Sequence, residues 1–111
     1  MKSMKSKLTP IRDMLVGLLP GATYHYWRKV QKKRYIIWAE DSEYNAHDSD
    51  NKKQEQQIEG TIDLFTQTEY DSLADDIQDG LNELGVGWNL LSVSFEQETN
   101  LIHWEWEFKV V

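Results

Sequence analysis

The sequence predicts an α+β domain in the order α-β-β-β-α-β-β, with a mostly antiparallel or mixed sheet and its helices on one face. Three observations lead there. Two segments repeat apolar residues at helical spacing. Five segments alternate or cluster β-branched and aromatic residues. Two pairs of successive strand segments are joined by short polar turns, which suits antiparallel hairpins. At 111 residues the chain is the size of one domain, read here as a single unit over 1–111.

The first helix rests on Ile11, Met14, Leu15, Leu18 and Leu19, which share one face. Thr9 is the expected cap, Pro10 suits the first helical position, and Pro20-Gly21 ends the run. Ala22 to Arg28 alternates aromatic and polar residues and reads as a strand. Arg34 to Glu40 reads as a second, and the charged segment between them as the tip of a hairpin. A polar stretch follows, placed at 40–56 and expected to be a mobile loop, because long connections in compact domains are usually functional or disordered. Gln57 to Thr66 is the third strand, with Ile58, Gly60, Ile62 and Leu64 on one face. Thr68 or Asp71 caps a second helix carrying Tyr70, Leu73, Ile77, Leu81 and Leu84, and Gly85 stops it. Trp88 to Glu96 and Leu101 to Val110 form a last hairpin. In its second strand Ile102, Trp104, Trp106, Phe108 and Val110 oppose His103, Glu105, Glu107 and Lys109, so one side is expected in the core.

Charge is unevenly distributed along the chain. The formal net charge is −7, yet residues 1–34 hold nine Lys/Arg against one acid, Asp13. Residues 35–111 hold three Lys against eighteen acids. Such halves either attract one another within the fold or steer copies into oriented contact. There are no cysteines, which excludes disulfides, thiolate metal sites and Cys nucleophiles and suits a reducing compartment. Met14 to Leu19 is too short an apolar run to span a membrane, and Arg12 and Asp13 interrupt any signal-peptide reading.

Little of the sequence points to chemistry. His25, His47 and His103 lie in separate elements without metal-ligand spacing, and His103 reads as a solvated surface imidazole. Asp48-Ser49-Asp50 opens like a calcium loop, but Lys52 and Lys53 stand where an oxygen ligand and the turn glycine are needed. Gly85-Val86-Gly87 opens no helix after a strand, so it is no phosphate cradle. No catalytic residue, cofactor or metal is expected. The strongest charged cluster is Arg28, Lys29, Lys32, Lys33 and Arg34, beside Tyr24, Tyr26 and Trp27. It reads as a solubilising turn, a partner contact or a nucleic-acid grip. Trp38 and Phe65 fall on strand faces that look only partly covered and are read as interface aromatics.

Three blocks carry a family resemblance: Arg34–Glu43 (RYIIWAEDSE), Gln57–Asp71 (QIEGTIDLFTQTEYD) and Gly87–Phe108 (GWNLLSVSFEQETNLIHWEWEF). In this order they resemble the tail terminator, or tail-completion and tail-to-head joining, proteins of long-tailed phages and prophages of Gram-positive bacteria. The resemblance implies a structural protein of the virion, located at the head-proximal end of the tail and in the host cytoplasm during assembly. Its partners would be further copies of itself, in a ring that is typically a hexamer, the tail tube protein, and a head-completion or connector protein. No membrane is implied. On this reading the acidic segment with Glu40, Asp41, Glu43, Tyr44, Asp48 and Asp50 orders on assembly. The basic tip at 28–34 meets an acidic neighbour or lines a lumen that passes DNA. The alternative from the residues alone is a nucleic-acid-binding or other protein-interaction module using that same basic hairpin.

Overall fold

The computed structural model describes residues 3–28, 32–43 and 56–111. Its elements are α1 (Met4–Leu18), β1 (Thr23–His25), β2 (Tyr35–Glu43), β3 (Ile58–Thr66), α2 (Ser72–Glu83), β4 (Gly87–Glu96) and β5 (Leu101–Val110). The five strands form one sheet in the order β1-β2-β3-β5-β4. All neighbours are antiparallel except β1 and β2. Two antiparallel steps separate β3 from β4, so these run parallel, with α2 as their crossover and β5 inserted between them.

The parallel β1–β2 pair corrects the expected hairpin. Thr23, Tyr24 and His25 pair with Ile36, Ile37 and Trp38 in the same direction, so the chain must travel back before β2 begins. β1 stops after three residues because Tyr26 takes φ 76°, the left-handed region that breaks an extended strand. Its N–H still reaches the Trp38 carbonyl, at 2.9 Å.

α1 also begins earlier than expected. Ser3 caps it, accepting from the Ser6 N–H at 3.1 Å, and Pro10 lies inside the helix. An interior proline forfeits one backbone bond and is normally costly. Here the bond lost is the one to Ser6, an exposed residue, while the added turn buries Lys7 and Leu8. Thr9 is no cap; its hydroxyl donates back to the Lys5 carbonyl at 2.6 Å.

Both helices lie on one face of the sheet. Leu8, Ile11 and Leu15 of α1 and Leu73, Ala74, Ile77 and Leu81 of α2 pack onto Ile36, Trp38, Ile62, Leu64, Trp106 and Phe108. β3 alternates buried and half-buried residues without a break, as its period demands, and sits at the centre of the sheet. Gly60 is needed there, since a Cβ would strike the Ala39 carbonyl and come within 2.5 Å of the Phe108 ring. Asp71 is the α2 cap, and Gly85, with φ 72°, follows its end. Tyr70, expected on the buried face of α2, instead precedes the cap with φ 50° and is 90% exposed. Leu84 is exposed as well. Among the described residues no helix is long and apolar enough to cross a membrane.

Candidate interaction surfaces

The basic residues divide according to what they touch. Arg34 grips Asp71 with two parallel bonds, Nε to Oδ2 at 2.9 Å and Nη2 to Oδ1 at 2.6 Å. Asp71 is buried, and it also accepts from the Thr66 hydroxyl at 2.6 Å and from the Leu73 N–H at 2.9 Å. Burial pushes this carboxyl up, but the bonds from Arg34, Thr66 and Leu73 outweigh it and hold the group below its ordinary range. Arg28 donates to the Tyr35 hydroxyl at 3.1 Å, with its guanidinium carbon 5.3 Å from the ring centroid. These two arginines, expected to face a partner, are therefore engaged within the fold. Lys32 and Lys33 are exposed, and Lys29 lies outside the described residues.

The helix-free face of the sheet carries an aromatic row. Tyr35, Phe65 and His103 stand directly opposite one another on β2, β3 and β5. Their rings stack with centroids 4.6 Å and 4.2 Å apart. Beside them Ala22, Tyr35 and Leu101 form a small second core, with Leu19, Tyr24, Ile37 and Phe65 against it. Phe65 is thus half-buried between two rings, not presented as a free aromatic. His103 is no solvated imidazole either: its Nε2 lies 2.6 Å from Asp63 and its Nδ1 3.3 Å from Glu96. The Asp63 hydrogen bond, with Glu96 and Glu105 nearby, raises its pKa against the opposing effect of burial. The signal available in the sequence was the register that aligns His103 with Phe65, which depends on strand order.

Trp38, read as an interface aromatic, is buried under α1, because it shares the helix-facing side of β2 with Ile36. His25 stacks on it with centroids 4.2 Å apart and bonds Glu40 at 2.7 Å. These residues, with Leu8 and Arg12, line a cleft of about 330 Å³ between α1 and the sheet edge. Glu40 would be raised by burial, but bonds from His25 and Tyr26 hold its carboxyl low. Asp41 and Glu43 continue β2 as exposed strand residues, so positions 40–43 of the expected loop at 40–56 are strand, and 44–55 lie outside the described residues. Tyr44, Asp48 and Asp50 lie outside the described residues. Among the described residues no group of three His, Asp or Glu side chains is placed to hold a metal.

The sequence reading missed the exposed strand. Leu90, Leu91, Val93 and Phe95 of β4 are all solvent-exposed, on the edge of the sheet farthest from β1. The sequence placed Trp88 to Glu96 as a strand without assigning either of its faces.

No protein-family model matches the chain, and no curated protein does. Its fold is similar to that of a chain in a solved structure described as "Virion of native gene transfer agent (GTA) particle". The TM-score is 0.59 at 13% identity, over 97% of this chain and 92% of that one. At that identity the likeness establishes a shared α+β fold.

Proposed function

We propose that this chain is a structural subunit of a phage-type virion, and within it a tail terminator that forms a ring on the tail tube, ends tube growth and joins tail to head. One observation carries the reading: nearly the whole chain shares its fold with nearly the whole of a chain in a gene transfer agent virion. The three sequence blocks that resemble tail terminators add the finer role. The surfaces suit it, since the exposed features include one apolar strand, β4, and charged side chains, the materials of protein contact. The subunit performs no catalysis, and its partners are its own copies, the tube protein and a head-connector protein.

Electron microscopy of purified tail tubes incubated with the chain tests this directly. Capped tubes of fixed length with a ring of density at one end are expected. Tubes that keep growing in its presence would refute it. The exposure of Trp27, Lys32 and Lys33 favours one other reading, a single-stranded nucleic-acid contact. That reading requires affinity that falls steeply with salt and is lost on replacing Lys32 and Lys33 with Glu.

A further inference from the structure

The two edges of the sheet have opposite character. At one edge, Leu90, Val93 and Phe95 of β4 project to the helix-bearing side, directly opposite Trp106, Trp104 and Ile102 of β5. Trp106 is covered by the helices, but farther along the hairpin the cover ends, and Phe95 is 58% exposed. The Trp104 indole N–H is shut off from solvent there without an acceptor among the described residues. This edge is also acidic: between Glu69 and Val111 the only Lys or Arg is Lys109.

At the other edge β1 gives way to Tyr26 and Trp27, both exposed, Trp27 by 66%. Arg28 and the exposed Lys32 and Lys33 follow. The aromatic lobe itself lies beside Glu40, which bonds His25 at 2.7 Å, so its positive charge comes from the lysines that precede β2. Four strand spacings separate the edges, roughly 19 Å, so one chain cannot close its apolar edge with its own aromatic one. Two unlike, complementary patches on opposite edges define a head-to-tail contact, which closes into a ring when the rotation permits.

We infer that the exposed apolar face of β4 is the docking surface for the Tyr26–Trp27 lobe of a second copy of this chain. The contact seats an aromatic pair on Leu90, Val93 and Phe95, and brings Lys32 and Lys33 toward Glu98 at the hairpin tip. This rests on the ring reading above and adds which surfaces meet.

The test places a photoreactive benzoylphenylalanine at Phe95 in an equal mixture of light and heavy-isotope chains, concentrated until the unmodified chain assembles by native mass spectrometry. Mixed-isotope cross-links into residues 24–34 are expected. Phe95→Asp and, separately, Trp27→Asp should each raise the concentration needed for assembly at least tenfold. Neither side chain belongs to a core cluster, so both variants keep a wild-type circular dichroism spectrum. Cross-links from β4 to β4 of the second copy or to any other segment would overturn the inference, as would a Phe95→Asp chain that assembles like wild type. In those cases the unmodified chain still forms rings and the proposed function stands. An unmodified chain that stays monomeric both free and beside tail tubes removes the function and the docking surface together.

Discussion

Arg34 and Asp71, 37 positions apart, meet in a two-pronged ion pair that ties the basic first third of the chain to the start of α2. Asp71 serves Arg34, Thr66 and the helix N-terminus at once. Replacing it with alanine strands the Leu73 N–H and the Thr66 hydroxyl in a buried place. The expected cost is about 2–4 kcal/mol, read as a drop in urea midpoint at unchanged slope. Because the folded carboxyl titrates low, its contribution is complete above the unfolded value near 3.8 and disappears as pH falls through the folded value. Asp71→Ala should therefore lose less stability than wild type between pH 5 and pH 2.

His103 gives the opposite sign. Its pKa is raised by the Asp63 bond, so its stabilisation is complete below the ordinary value of 6.5 and is lost as pH climbs through the folded value. Thermal melts of wild type and His103→Gln should differ by about 1–2 kcal/mol at pH 5.5 and converge at higher pH. A difference that does not change with pH would show that the pair contributes nothing through its charge.

Two glycines separate rigid from yielding contacts. A Cβ at Gly60 meets the Ala39 backbone and the Phe108 ring, neither of which can retreat inside the sheet. Gly60→Ala should cost about 1–3 kcal/mol. A Cβ at Gly80 meets the Met14 sulfur at 2.6 Å, the end of a flexible side chain. Gly80→Ala also gains helix propensity of about 1 kcal/mol, so its melting temperature should stay within a few degrees of wild type.

Lys32 and Lys33 are exposed and should be silent in stability. Lys32→Glu with Lys33→Glu is expected to shift unfolding by about 0.5 kcal/mol or less. The same double variant should weaken self-association, measured by sedimentation, because it reverses the charge of one docking patch.

Where the residue period is unbroken, the fold was legible. Ile58, Ile62 and Leu64 of β3, Trp106 and Phe108 of β5, and Leu73, Ile77 and Leu81 of α2 are buried as their spacing requires. Strand direction was not legible. Nothing in the composition of 26–34 distinguishes a hairpin tip from a segment that returns to start a parallel strand, and the break falls on Tyr26 without a glycine to mark it. Pro10 drew the start of α1 too far along, because a proline at a first helical position and one inside an exposed turn look alike. The roles of Arg34 and His103 depend on partners distant in sequence, Asp71 and Phe65, that only strand order brings near. The exposed face of β4 was hidden for a related reason: alternation shows that one side is apolar, not whether a helix reaches far enough to cover it.

Native mass spectrometry of the unmodified chain across a concentration series, free and after incubation with tail tubes, tests the central claim most directly. The account predicts a closed oligomer with one fixed subunit count, formed free at high concentration or on the tube end. A chain that stays monomeric throughout and leaves the tubes uncapped would contradict it.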